Sequence, residues 1–252
     1  VCRHLAWLGP PRALDDLVLA PEHGLLTQSW APRRQRHGTV NVDGFGVGWY
    51  AAARPAPVRY RRAQPIWTDA SFASLAPTVA SSCVVAAVRS ATVGTSADES
   101  AAAPFTEGRW LLSHNGRLED WSGARKALRE HAADVPDART GVDSALLFGL
   151  AVARWQGGAS LGEGLASATT DLLAHGGGRL TTLAADGESV AGVVCGEPLW
   201  WRREAGGVVV ASEPHGPDTG PDDDLDESGW RELPDRTVFV VRPGAEPETA
   251  PL

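Results

Sequence analysis

The sequence contains no methionine and a single lysine, Lys126, and its three cysteines stand far apart at Cys2, Cys83 and Cys195. Three scattered cysteines make neither a disulfide framework nor a zinc pattern of the C-x-x-C type, and such usage fits a reducing cytoplasm. No stretch approaches the ~20 apolar residues needed to span a bilayer, and no apolar run follows a basic start. A membrane helix and a secretory signal are therefore not expected. Positive charge is also short, with 23 Lys and Arg against 31 Asp and Glu and a net charge of −8. The one basic cluster, Arg33-Arg34-Gln35-Arg36-His37, stands alone. Without a basic stripe to displace phosphate counterions, nucleic acid is not an expected partner.

What is present is ordinary in amount: 252 residues, 43% hydrophobic and 21% charged. That length supports one large domain with a full core, or two small ones. Strand-like runs are predicted over 2–8, 45–51, 83–90, 110–114, 179–185, 189–195, 208–212 and 237–241, with Gly187 and Gly206-Gly207 as turns between the later ones. Helical patterns are predicted over 11–19, 71–80, 121–132, 141–154 and 161–173. Strands, then helices, then strands again predict one α+β domain over residues 2–252, with antiparallel sheets packed against helices rather than a βαβ array. The acidic, Gly- and Pro-containing segment 215–227 is expected to be a mobile loop, and the tail from Pro243 to be flexible.

The most informative residue is Cys2. Val1 stands where an initiator would, and a GTG start codon read literally explains it; removal of that residue would leave Cys2 with a free α-amine. A nucleophile and a base would then share one residue. The alternative is a buried cysteine at the start of a strand.

Three further places carry polar groups. Arg89, in Arg89-Ser90-Ala91-Thr92, closes an apolar strand; it either reaches solvent or clamps a carboxylate with its guanidinium fork. Asn115-Gly116 after a strand reads as a turn, or as an amide and a backbone N–H converging on an oxyanion. Asp143 reads as a helix cap or as a carboxylate that receives an ammonium. The glycine-rich Asn41 to Gly48 lacks a phosphate-loop pattern and reads as a turn into a closely packed strand.

Taken in order, Cys2-Arg3, Asn41 to Gly48, Arg89-Ser90-Ala91-Thr92, His114-Asn115-Gly116 and Asp143-Ser144 resemble class II glutamine amidotransferase domains, over essentially the whole chain. The resemblance implies the αββα four-layer sandwich of N-terminal-nucleophile hydrolases. More narrowly, CRHLAWLG, SWAPRRQRHG, NVDGFGVGW, AAVRSATVG, LLSHNG and VVASEP resemble the actinobacterial γ-glutamyl hydrolases of ergothioneine biosynthesis, which act on γ-glutamyl-hercynylcysteine sulfoxide. It implies Cys2 as nucleophile with its α-amine as base, Asn115 and Gly116 as oxyanion hole, Arg89 on the glutamyl α-carboxylate, Asp143 on the α-ammonium, and Thr92 lining the pocket. It implies no metal, no organic cofactor and no obligatory protein partner, only a small-molecule γ-glutamyl substrate. Ser90 stands where many glutaminases of the family have Trp. The leaving group of that substrate carries a quaternary ammonium, which suits an aromatic face; Trp30 and Phe45 are the expected contacts, with Arg33, Arg34 and Arg36 near its carboxylate. A glutaminase subunit serving a separate synthase, and an inactive binding module on the same fold, are the alternative readings.

Overall fold

The computed structural model describes residues 2–92, 94–96, 98–217 and 228–252. Its elements run β1 (Arg3–Ala13), α1 (Leu14–Val18), α2 (Leu25–Gln28), β2 (Phe45–Trp49), β3 (Val58–Arg62), α3 (Ala70–Leu75), β4 (Ala80–Val88), β5 (Phe105–Glu107) and β6 (Trp110–Arg117). They continue with α4 (Trp121–Leu128), α5 (Asp143–Gln156), α6 (Leu161–Gly176), β7 (Arg179–Ala185), β8 (Val190–Val194), β9 (Trp200–Glu204), β10 (Gly207–Ala211), β11 (Arg231–Glu232), β12 (Thr237–Val241) and β13 (Glu248–Pro251).

The strands form two sheets, ordered β11-β9-β10-β1-β4-β2-β3 and β13-β12-β8-β7-β6-β5, with antiparallel neighbours throughout. Period-two alternation of strand side chains sorts the core into layers. On β1 and β4, Leu5, Trp7, Val84, Ala86 and Val88 pack outward against α1, α2 and α3. Their alternates Ala6, Leu8, Cys83 and Val85 face the second sheet and meet Leu111, Leu183, Val190 and Phe239. The far face of that sheet, through Leu112, Leu180, Ala184 and Val193, packs on α5 and α6. The order helix, sheet, sheet, helix is the αββα sandwich expected from the sequence.

Strands β7 and β12 coincide with their predicted spans, and α4, α5 and α6 stand where helices were expected. Other expectations need correction. Gly9-Pro10 does not end the first strand, which continues to Ala13 past a register irregularity between Leu8 and Arg12. The tail is not loose throughout: Glu248–Pro251 pairs along β12 and supplies an edge strand. Of the acidic segment, 218–227 lie outside the described residues. His215 is buried, with its carbonyl accepting from Trp230 Nε1 at 3.1 Å, because the ring packs edge-on against Trp230. None of the helices among the described residues is long and apolar enough to cross a membrane.

Candidate active site

Both sheets contribute to one cleft, and Cys2 stands in its lining immediately before β1, a central strand of its sheet. Paired rows place Arg3 beside Val88 and Val88 beside Phe45, so the starts of β1 and β2 and the end of β4 share one rim. From the second sheet, β6 runs to Arg117 and brings His114, Asn115 and Gly116 to the same end. His4 fastens the two sheets directly below: its Nδ1 is 3.0 Å from Ser113 Oγ.

The Cys2 nitrogen donates to Asn115 Oδ1 at 2.9 Å. That bond fixes which way the Asn115 amide points. Its Nδ2 is buried and has no hydrogen-bond partner among the described residues, so one amide donor is uncommitted. Asn115 and Gly116 are not a turn, because they pair with Thr181 and Leu180 of β7 inside the strand. Gly116 is required there: its φ is +141°, and a Cβ would lie 2.0 Å from the Arg179 carbonyl oxygen.

Arg89 does not reach solvent. It is only 6% exposed, since the chain beyond β4 folds over it. Its guanidinium donates to the Ser96 carbonyl at 2.7 Å, to Asp43 O at 3.3 Å and to Thr95 Oγ1 at 3.3 Å. The backbone of Arg89 pairs with Asp43 and Gly44, and the Asp43 carboxylate accepts from Ala91 N at 2.7 Å. The glycine-rich segment thus serves as a brace for Arg89. It also allows close packing, for a Cβ at Gly46 would meet the Ala103 carbonyl at 2.3 Å.

Asp143 is the first residue of α5 rather than its cap, which is Val142. A carboxylate in this first turn is favoured by the helix dipole. Oδ1 accepts from Ser144 N at 2.8 Å and Oδ2 from Leu118 N at 3.2 Å. His114 lies between the carboxylate and the strand: Nδ1 is 3.0 Å from Ser144 Oγ and 3.9 Å from Asp143 Oδ1. Burial holds the His114 imidazole below its ordinary range, opposed by Asp143 and the Arg179 carbonyl.

The cleft therefore brings Cys2, Arg89, Thr92, Gly116 and Asp143 together, with Asn115 bonded to Cys2 beside them. Ser90, Thr95, His114 and Ser144 line it as well. His114 and Ser144 belonged to motifs already quoted, but nothing in their spacing marked a role. Neither expected aromatic lines the cleft. Phe45 is fully buried because it shares strand parity with Val47 and Trp49 and faces outward, against Phe72 and Tyr60. Trp30 is 43% exposed and stands edge-on to Trp67, 5.4 Å away. Of the basic cluster, the Arg33 and Arg34 backbone nitrogens donate to the buried Glu213 carboxylate, and Arg34 lies over Trp200. The other two thiols stand apart, both fully buried, and burial pushes that of Cys83 up to about 12.

Residues 24–241 match the family of class II glutamine amidotransferases. The chain belongs to that family. Within it, the chain is 45% identical over 242 residues to the γ-glutamyl-hercynylcysteine sulfoxide hydrolase of Mycolicibacterium smegmatis, covering 96% of each chain. It is 44% identical over 241 residues to the protein of that name from Mycobacterium tuberculosis, covering 96% of this chain and 93% of that one. Among solved structures, a class II domain protein from Silicibacter pomeroyi superposes with a TM-score of 0.69 at 22% identity, covering 99% of both chains. Class II amidotransferases are enzymes, and the four layers described above are shared with that neighbour.

Proposed function

We propose that this amidotransferase domain hydrolyses the γ-glutamyl amide of γ-glutamyl-hercynylcysteine sulfoxide, releasing glutamate and hercynylcysteine sulfoxide. The observation that carries the reading is the pairing of the Cys2 nitrogen with an Asn115 amide whose Nδ2 remains uncommitted. Once whatever precedes Cys2 is removed, that nitrogen is a free α-amine. It takes the thiol proton, directly or through water, as Sγ attacks the γ-carbonyl. Negative charge then develops on the carbonyl oxygen, where Asn115 Nδ2 and the Gly116 N–H are the intended donors. Collapse breaks the C–N bond, the leaving amine takes the proton, and water hydrolyses the thioester to return Cys2. A γ-glutamyl group ends in a zwitterion, so it needs one fixed cation and one fixed anion; Arg89 and Asp143 meet that need in the same cleft.

The mycobacterial names motivate the leaving group, and three free thiols suit a reducing cytoplasm. The test is to incubate the purified enzyme with γ-glutamyl-hercynylcysteine sulfoxide and, separately, glutamine. Glutamate release from the first at far higher kcat/KM, abolished by Cys2→Ala, is expected. Equal turnover of glutamine would favour a glutaminase that supplies ammonia, and turnover of neither would favour a binding module.

A further inference from the structure

Next to Cys2, a charge sits where charges are costly. Arg3 is fully buried, and its Nε donates to the Cys2 carbonyl at 2.9 Å. Its two terminal nitrogens have no hydrogen-bond partner among the described residues, although NH2 is 3.9 Å from Glu197 Oε2. Glu197 is equally buried and is engaged on its other oxygen by Arg179 Nε at 2.8 Å, with His37 Nε2 3.8 Å away. Burial lowers the Arg3 guanidinium from its ordinary range, and the carboxylates of Glu213 and Glu197 oppose that loss. A cation retained at such cost, with two donor nitrogens left unsaturated, has its one hydrogen bond on the residue that begins the site.

We propose that Arg3 is the positioning residue of the site: its guanidinium holds the Cys2 carbonyl and, as a fixed buried cation, keeps the Cys2 α-amine in its free-base form at neutral pH. This rests on Cys2 acting as an N-terminal nucleophile. Covalent geometry sets the Cys2 nitrogen about 3 Å from its own carbonyl oxygen, so the Arg3 charge is about 6 Å from the amine. At that range a like charge disfavours the ammonium. Among the described residues, the other charged or titratable groups around the chain start are His4 on β1, His114 on β6, Arg179 on β7, Arg89 after β4, Asp143 on α5, Glu197 before β9, Glu213 after β10 and His37 in the basic segment. Among the cations, Arg3 is the one in direct contact with Cys2. The carboxylate of Glu197 is its counterweight: it keeps Arg3 in place while moderating its field.

The experiment measures the acid limb of kcat/KM, which reports the base of the free enzyme. Arg3→Met is expected to move that limb up by about one pH unit, in line with loss of a nearby like charge. Glu197→Gln is expected to move it down, because Arg3 is then less compensated. Arg3→Lys keeps the charge, so the limb stays in place while kcat falls several-fold through loss of the Nε bond. A folded Arg3→Met enzyme with an unmoved limb overturns the inference, as does an upward shift in Glu197→Gln. A measurement without either variant guards against misfolding. In Cys2→Ser, the pH dependence of acetylation of the α-amine is read by mass spectrometry against Lys126, the only other amine in the chain. An α-amine titrating below the ordinary 7.7–8.0 of such groups is expected, and one titrating above it sinks the inference. Activity retained in Cys2→Ala would instead overturn the nucleophile reading itself.

Discussion

Asn115 Oδ1 holds the Cys2 nitrogen at 2.9 Å, and this one bond turns the other end of the same amide into a buried donor without a partner among the described residues. On the proposed mechanism the two halves of Asn115 do separate work. Asn115→Ala removes both, and kcat is expected to fall by about 10²–10³, the usual cost of losing an oxyanion donor. Asn115→Asp keeps the oxygen for the Cys2 nitrogen but replaces the donor by an acceptor. It should be at least as slow, with the KM for the γ-glutamyl substrate little changed. Steady-state kinetics on both variants check this, and a KM effect alone would return Asn115 to a purely structural place.

Arg89 is expected to govern binding rather than chemistry. Its guanidinium is held by Ser96, Thr95 and Asp43, so its direction is set before any substrate arrives. Arg89→Lys loses the fork and should lower kcat/KM about thirty-fold, about 2 kcal/mol, mainly through KM. Asp43→Ala unties Ala91 N and should raise KM in the same direction by a smaller factor. Titrating initial rates against substrate concentration separates KM from kcat in each case.

Gly116 predicts a backbone effect. An alanine there has φ of +141° and a Cβ 2.0 Å from the Arg179 carbonyl, so β6 and β7 must separate. The cost should be about 2–4 kcal/mol, lowering the melting temperature by about 5–15 °C. Gly141→Ala is the control, because a Cβ there meets nothing within 4 Å. Its melting temperature should stay within a degree or two of the parent, as thermal unfolding followed by circular dichroism would record.

Acid stability follows from three buried imidazoles. His4 is held well below its ordinary range by burial first, then by Arg3 and His114; His114 is lowered by burial; and His215 is brought down to about 4 by burial, then Arg202. Unfolded histidine titrates near 6.5, so below that pH the unfolded chain binds more protons than the folded one. The contribution is therefore complete above about pH 6.5 and is lost as pH falls toward 4. For His215 this is up to about 1.4 kcal/mol per pH unit in that window, roughly 3 kcal/mol in all, and His4 and His114 act in the same direction. Urea midpoints between pH 7 and 4.5 should fall accordingly, and His215→Gln should flatten the slope by about one proton.

How much of this was legible depended on how far each residue's place is decided locally. Strands β7 and β12 are short apolar runs between turn residues, and their period carries the whole signal. Strands β3 and β9 went unseen because their sequences, VRYRR and WWRRE, look solvated. In the fold, arginine guanidiniums lie over aromatic rings: Arg62 over Tyr60, Arg202 over Trp230. Cys2, Arg89, Thr92, Gly116 and Asp143 were each ambiguous alone, and only their order along the chain suggested a common cleft. Phe45 shows the opposite limit. Its motif was recognisable, but whether it faces the cleft or the outer helices is a matter of strand parity, fixed by how β2 pairs with β4. Arg3 and Glu197 carry no sequence signal, since a buried ion pair between residues 194 positions apart exists only once the sheets are assembled.

Strand β1 starts at the mouth of the cleft and then runs through the middle of its sheet. Anything attached ahead of Cys2 therefore joins the chain at a residue that lines the cleft. An amino-terminal tag or fusion partner would turn the Cys2 nitrogen into an amide and, on the proposed mechanism, deny the site its base. The opposite terminus follows β13, an exposed strand on a sheet edge, and offers a handle that leaves the mouth open.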